Sequence, residues 1–549
     1  MRPDLPAARR IRYFLLGLSG LMLGCSFPPL PSGSLAAFAF VPFFIAFEDL
    51  ETHGKAFRAS YLAFFIFNLI AISWTGGFVH GKDPYLMAAG AALVFGHPLF
   101  MYVPVLLFTM VRKYFDFKTA VFAFPFMWVG FEYLHTITEF GFPWLVLGNT
   151  QTYDLPAIQF ASASGVYGVS FWLLWINVIA YVLYAKLALK EWKPFSRHSI
   201  VLVAGIVVLY VLPKIYGNVI MAQADKIPQE KSVRIGIIQP DIDPFEKWQG
   251  GSHEQISVYQ QLMEGVAQQR LDLIVWPETA TPFYLFAPQN QSVFQRIRKQ
   301  IDSLRLPLLT GISDIVYYRE TDIIPKGSKV IASTGQRYET FNSSMLLHPF
   351  SSEIQKHAKM ILVPFAERTP YSEYFPFSSV LQWSFGLGGW GIGTDSMVFR
   401  LRLADSSEVR FSNLICYESV YPGFVASFVR RGAEFLTIIT NDSWWGNTFG
   451  AYQHQRYAVL RAVENRRWIA RCANGGISCF IDPYGNVYQP TAMFTKAALV
   501  GEIQARGDMT FYATYGDVFA QICFLVSGVF LASTFGKKFY LRHRLRGRR

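Results

Sequence analysis

Leu273-Ile274-Val275-Trp276-Pro277-Glu278 is the stretch whose reading decides the fold of the non-membrane half of this chain. The apolar run Leu273–Val275, closed off by Trp276-Pro277, predicts a short buried β-strand, and the strand delivers a carboxylate at its end. Arg410–Ile415 makes the same kind of delivery to Cys416-Tyr417-Glu418. Further β-branched runs at Val233–Ile238, Pro307–Thr310, Phe435–Thr440 and Ile477–Ile481 alternate with polar helical stretches at His253–Gln269 and Gln291–Leu304. That alternation predicts an α/β domain with its chemistry displayed at strand ends. Asn474-Gly475-Gly476, between two apolar runs, predicts a hairpin turn.

Outside this region the sequence changes material. Over the 549 residues, 52% are hydrophobic, 17% aromatic and only 16% charged, and Phe alone occurs 50 times. A soluble globular chain of that composition is hard to keep in solution, so much of it belongs in lipid. The net charge of +12 is not a nucleic-acid footprint, because Lys and Arg punctuate the apolar runs instead of gathering on one helix or arm.

Apolar runs long enough to test against the roughly 20 residues of a membrane-crossing helix are Arg12–Phe27, Ser34–Phe47, Phe57–Val79, Tyr85–Val111, Ala120–Leu134, Val169–Leu189, Ser199–Tyr216 and Tyr512–Phe535. Ser34–Phe47 is the weakest, being short and carrying Pro42. Loop charge argues for keeping it. With eight spans, Arg2 to Arg12, Lys55 and Arg58, Arg112 to Lys118, Lys186 to Arg197 and the tail from Lys537 all fall on one side, and the short loops opposite carry only Lys82. Deleting the second span would place three basic loops outside, against the positive-inside rule. The expectation is therefore two cytoplasmic termini, no cleavable signal peptide, and the long segment before the last span on the exterior face. The domains expected are a bundle of seven spans at 1–217, a charged linker at 218–232, an exterior catalytic domain at 233–505, and a last span with a basic tail at 506–549.

Three groups carry the chemistry. Glu278 follows one strand, Cys416 ends another, and Lys359 precedes Leu362-Val363-Pro364-Phe365-Ala366-Glu367. A thiol becomes a working nucleophile when a base takes its proton or a cation stabilises the thiolate. Glu278 fits the base, and Lys359 fits the stabiliser of an oxyanion. Taken singly, each has a plain reading: a small core Cys, a solvated Lys, an ordinary Trp-Pro-Glu turn.

Taken together, their order and spacing resemble the nitrilase superfamily, with its Glu-Lys-Cys triad. Within it the whole chain resembles the apolipoprotein N-acyltransferase family. Gln239-Pro240 with Trp248, Trp276-Pro277-Glu278-Thr279, Lys359 with Leu362–Glu367, Cys416-Tyr417-Glu418 and Thr440-Asn441-Asp442-Ser443-Trp444-Trp445-Gly446 carry the likeness, as do Phe142-Pro143-Trp144-Leu145 and Leu147-Gly148. Ala366, where the family usually has Gly, and Asn149, where an aromatic is common, depart from it. The resemblance implies a membrane α-helical bundle of about eight spans joined to an α/β nitrilase-like four-layer αββα sandwich, in the bacterial inner membrane with the catalytic domain periplasmic.

It also implies a ping-pong reaction. Cys416 takes an acyl chain from a phospholipid, phosphatidylethanolamine by the family pattern, and passes it from a thioester to the α-amine of the diacylglyceryl-cysteine that begins an apolipoprotein. No cofactor is implied, since the thioester keeps the energy of the ester. Glu278, Lys359 and Cys416 are the expected catalytic residues, with Glu367 and Glu418 supporting them. Trp248, Tyr417, Trp444 and Trp390 are expected against substrate, although ordinary aromatic packing or, for Trp444, the membrane interface stays open. Trp390 belongs to Tyr371–Met397, whose aromatics and glycines predict a mobile arm that dips into the interface.

Cys25 and Cys523 read as packing residues in spans, and Cys472 and Cys479 flank the predicted hairpin. The ten histidines show no ligand spacing, and no metal is expected. Two other classes fit less well. A nitrilase-type amidase on a membrane anchor needs only one span, and a transporter or scaffold would carry more mid-span charge than Glu132.

Overall fold

Strand burial with period two sorts the side chains of the computed structural model into two cores. In β1 (Lys231–Gln239), Ile235 and Ile237 face one core and Ile238 the other. In β2 (Leu273–Val275), Leu273 and Val275 face the first and Ile274 the second. The structure describes residues 6–79, 81–223, 231–248, 251–325, 328–372, 374 and 389–546.

The chain divides into two compact units: Met1–Gly76, Met87–Ala224 and Tyr515–Arg549 make one, Gly77–Leu86 and Asp225–Thr514 the other. The sequence expectation therefore shifts at three places. Helix Arg197–Met221 runs past the boundary expected at 217, Gly77–Leu86 leaves the helical unit for the α/β unit, and the α/β unit extends beyond 505.

In the helical unit an apolar helix accompanies each expected span. Among the described residues five are long and apolar enough to cross a membrane: His53–Gly76, Pro84–Tyr114, Ala161–Ala188, Arg197–Met221 and Val518–Arg544. The expected second span is a 3₁₀ turn, Gly33–Ala37, followed by helix Phe40–Phe47, and is too short to cross alone. Its aromatic face is sealed inside its unit. Phe40, Phe43, Phe44 and Phe47 are fully buried, and Asn177 accepts the Phe40 N–H at 2.7 Å while donating to the Ala36 carbonyl at 2.8 Å. One polar side chain thus satisfies backbone groups that the helix start leaves open. Glu132 plays a similar part. Its Oε1 accepts Trp128 Nε1 at 3.0 Å and the Leu147 N–H at 2.8 Å, anchoring the Phe142–Gly148 loop, and Asn149 Nδ2 donates to the Pro143 and Trp144 carbonyls of that loop at 3.2 Å.

In the α/β unit the remaining strands are β3 (Thr281–Tyr284), β4 (Leu308–Tyr317), β5 (Lys329–Val330), β6 (Arg337–Leu347), β7 (Ile354–Ala358), β8 (Phe399–Arg402), β9 (Glu408–Ile415), β10 (Phe435–Thr440), β11 (Ile469–Ala473), β12 (Cys479–Ile481), β13 (Val487–Tyr488) and β14 (Ala497–Ala505). One sheet runs β14-β1-β2-β4-β6-β5, with β3 on β4 and β7 on β6; the other runs β13-β12-β11-β10-β9-β8. Their apposed faces share one core, in which Ile235, Val275 and Leu309 meet Phe411, Ile415, Phe435 and Ile439. Helices Ser252–Ala267 and Gln291–Leu304 cover the outside of the first sheet with Ile256, Met263, Val293, Ile297 and Ile301. Pro422–Arg430 and Phe449–Asn465 lie against the second. The layers are αββα, as the resemblance implied.

β11 and β12 form the hairpin expected around Asn474-Gly475-Gly476. Its register pairs Arg471 with Cys479, so Cys472 and Cys479 point to opposite sheet faces and both are free.

Candidate active site

β1, β2 and β4 are parallel neighbours, as are β9, β10 and β11. Groups just past the carboxyl ends of such strands share one edge of their sheet. Cys416 leaves β9 at φ +52°, a left-handed conformation that is costly for a residue with a Cβ, and starts the 3₁₀ turn Cys416–Val420. The turn beyond β2 carries the same kind of strain at Thr279, φ +45°. Gly311 makes that turn fit. A Cβ there would lie 2.6 Å from the Pro277 carbonyl oxygen and 2.7 Å from Glu278 Cα, so only hydrogen leaves room. Lys359 follows β7 directly.

These strand ends bring the three expected residues together in a desolvated place. Lys359 is 1% exposed, Glu278 6% and Cys416 7%. The Lys359 ammonium donates to Glu278 Oε1 at 3.2 Å and Glu367 Oε1 at 2.9 Å. Asn342 Nδ2 donates to the same two oxygens, at 2.8 and 3.1 Å. Glu367 Oε2 accepts the Val363 N–H at 2.8 Å. Burial alone would lower the Lys359 pKa, but Glu278 and Glu367 together hold it above the ordinary lysine range. With one cation serving two carboxylates, burial and the charge of Glu278 raise the Glu367 pKa despite Lys359.

Burial pushes the Cys416 thiol up, Glu278 adds to the rise, and Lys359 opposes it. The resting nucleophile is a protonated thiol that needs a base during attack.

Glu418 joins the segments that carry thiol and ammonium. Its Oε2 accepts the Ile415 N–H at 2.8 Å and its Oε1 the Met360 N–H at 2.6 Å. His357, with Nε2 3.4 Å from Glu418 Oε2 and Nδ1 3.0 Å from the Asp395 carbonyl, faces acceptors on both sides. Burial opposes its charging, yet Glu418 carries its pKa above the ordinary histidine value.

Beneath the thiol, the Cys416 carbonyl accepts from Ser419 Oγ at 2.7 Å and lies 3.2 Å from His454 Nε2. His454 Nδ1 is 2.8 Å from Asp442 Oδ1, and Arg471 Nη2 donates to Asp442 Oδ2 at 2.7 Å. Burial works against the Asp442 carboxylate, but Arg471 and His454 hold its pKa well below the usual range.

The expected substrate residues divide. Tyr417 is buried with its ring 5.2 Å from Tyr421, and half-buried Trp444 packs edge-on to Phe245 at 5.2 Å. Trp248 and Trp390 each hold a buried indole N–H without a partner among the described residues. Phe375, Phe377, Trp383 and Phe385 of the expected arm lie outside the described residues. Its far end is tied to the site: the N–H groups of Gly389, Gly391 and Gly393 donate to the carbonyls of Glu367, Thr340 and Lys359 at 2.9, 2.7 and 2.9 Å. A Cβ on Gly393 would meet the Ala358 oxygen at 2.1 Å, so that glycine provides close approach.

Asn342, His357, His454 and Lys247 escaped the sequence reading. Asn342 had one usable signal, since Asn342-Ser343-Ser344 is a polar run leading directly into the apolar Met345-Leu346-Leu347 at the buried end of its strand, and buried polar groups seek partners.

The αββα sandwich with a buried carboxylate, ammonium and thiol at its strand ends defines a carbon-nitrogen hydrolase domain. That family, described as carbon-nitrogen hydrolase, matches residues 234–508, and the apolipoprotein N-acyltransferase N-terminal domain matches residues 19–179. An apolipoprotein N-acyltransferase of Chlorobaculum tepidum is 38% identical over 527 residues, spanning 94% of this chain and 95% of its own. One from Geobacter metallireducens is 32% identical over 541 residues, 98% of each chain. The chain belongs to the apolipoprotein N-acyltransferase family, and it is an N-acyltransferase with a membrane-type helical half.

Proposed function

We propose that acyl transfer runs through a thioester on Cys416, with a membrane phospholipid, phosphatidylethanolamine first among them, as donor and the α-amine of a lipoprotein's diacylglyceryl-cysteine as acceptor. The observation that carries this reading is the single Lys359 ammonium shared by Glu278 and Glu367 beside a protonated, buried thiol. Glu278 takes the Cys416 proton as Sγ attacks the acyl carbonyl carbon. Lys359 neutralises the oxyanion, and the bond between the acyl carbon and the glyceryl oxygen breaks as Glu278 returns its proton to the departing lysophospholipid oxygen.

In the second half the amine attacks the thioester, Glu278 takes a proton from it, and Cys416 leaves and is reprotonated. An α-amino group has an unperturbed pKa of about 7.7–8.0, so a useful neutral fraction exists near neutral pH. Glu367 and Asn342 fix Lys359 and Glu278, and Glu418 fixes the two backbone segments. Trp248 and Trp390 offer their free N–H groups to substrate oxygens, and Tyr417 and Trp444 line its path.

Basic residues concentrated in alternate loops, with Lys82 alone in the short loops opposite, support a bacterial inner-membrane protein with eight spans, cytoplasmic termini and a periplasmic catalytic domain. The purified chain in phosphatidylethanolamine vesicles should N-acylate a diacylglyceryl lipopeptide without nucleotide. Release of free fatty acid with an unmodified lipopeptide would show hydrolysis instead and refute the reading.

A further inference from the structure

Lys247 is 0% exposed, and among the described residues it makes no ion pair with a carboxylate. An ammonium taken out of water without a close counter-ion is expensive to keep. Its Nζ instead donates to the backbone carbonyl of Glu278 at 3.1 Å and to Thr279 Oγ1 at 3.3 Å. These are the two residues of the strained turn whose backbone Gly311 lets pack so closely. The lysine is itself fixed, since Gln255 Nε2 donates to the Lys247 carbonyl at 2.6 Å and the Lys247 N–H donates to Asp243 at 2.9 Å. The next residue, Trp248, holds a buried indole N–H without a partner among the described residues.

We propose that Lys247 is a positioning residue for the reaction. It locks the Glu278–Thr279 turn in the conformation that aims the base, and it places a second positive charge beside the two carboxylates that share Lys359. This rests on the thioester reading. Electrostatics agree with the geometry. Burial lowers the Lys247 pKa to about 7, with Glu278 opposing the fall, so on the acid side of neutrality the group is an ammonium. A cation near a carboxylate favours its charged form, and removing the cation moves deprotonation to higher pH. Lys247 also links Trp248 to the base through one short segment, so a substrate held at Trp248 and the alignment of Glu278 share a backbone.

The test measures the rate of acyl-adduct formation on Cys416 from pH 5 to 9, by intact mass, for the full chain in phosphatidylethanolamine vesicles. Lys247→Met should slow the adduct at least about tenfold and move the acid limb of the profile up by about one unit. Lys247→Gln keeps N–H donors without charge; it should recover part of the rate while its acid limb stays displaced. A lysine that merely fills space would leave the acid limb where it is in both variants, and that result overturns the proposal. Should the Met variant fail to fold, the limb of the Gln variant alone decides. A wild-type chain that forms no adduct on Cys416 would overturn the thioester reading and this proposal with it; a normal wild-type adduct with an unmoved limb would remove this proposal alone.

Discussion

Glu418 Oε1 accepts the Met360 N–H at 2.6 Å. Through that bond the carboxylate two residues beyond the nucleophile holds the residue next to Lys359, so thiol and ammonium cannot drift apart independently. Because Glu418 and His357 are both fully buried, removing one partner leaves an uncompensated charge. Glu418→Ala should cost about 3 kcal/mol, or a thermal midpoint lowered by roughly 6–12 °C, and slow acyl-adduct formation at least tenfold. An unchanged midpoint in differential scanning fluorimetry would contradict the role.

His357 makes that clamp depend on pH. Its folded pKa lies above the unfolded value, so its contribution is fully present below about pH 6.5 and is lost as pH rises through the raised folded value. The stability difference between wild type and His357→Gln should be largest at pH 5–6 and shrink on the alkaline side of about pH 6.5. A difference that grows with pH would mean that His357 is neutral in the folded state.

Asn342 donates to both carboxylates that share Lys359. Asn342→Asp is nearly isosteric but crowds a third negative charge into the site. Adduct formation should fall by a factor on the order of 10², with a smaller fall for Asn342→Ala, measured by intact mass over the first turnover. Equal rates for the two variants would show that charge at this position does not matter.

Trp390 is 4% exposed and sits among glycines pinned to the Lys359 and Glu367 segments. Trp390→Ser should therefore lower stability by about 3–5 kcal/mol and slow transfer from phospholipid and from a short soluble ester alike. Selective loss on phospholipid with an unchanged midpoint would restore the mobile-arm reading for this residue.

A periplasm-active reporter fused after Tyr216 should be active, and one fused after Gly536 inactive, because seven expected spans precede the first point and eight the second. The short second segment, Phe40–Phe47, is the element on which this parity turns. The reverse pattern would show that it does not cross.

Glu278 and Cys416 were legible in the sequence because one follows and the other ends a strand-like run, and Lys359 joined them only through the order and spacing that resemble the nitrilase superfamily. The strands themselves were legible where apolar runs were short and bounded, as at Leu273–Val275, which the structure reproduces residue for residue. What no periodicity announces is the contact between distant segments. Asn342 reaches across to residues 64 and 25 positions away, and His454 to the carbonyl of Cys416, 38 positions away. Nothing in the sequence around Lys247 distinguishes it from a solvated lysine; its burial comes from the fold alone. Gly391 and Gly393 stand where other groups come close, a role the sequence does not separate from hinge freedom because both ask for the same residue.

The most direct test is the mass of the protein after incubation with phosphatidylethanolamine and no acceptor. The account predicts an acyl adduct on Cys416 that vanishes in Cys416→Ala, forms at least about 10²-fold more slowly in Glu278→Gln and Lys359→Met, and is discharged by a diacylglyceryl lipopeptide. An adduct on any other residue, or N-acylated lipopeptide made by Cys416→Ala within about tenfold of the wild-type rate, would contradict it.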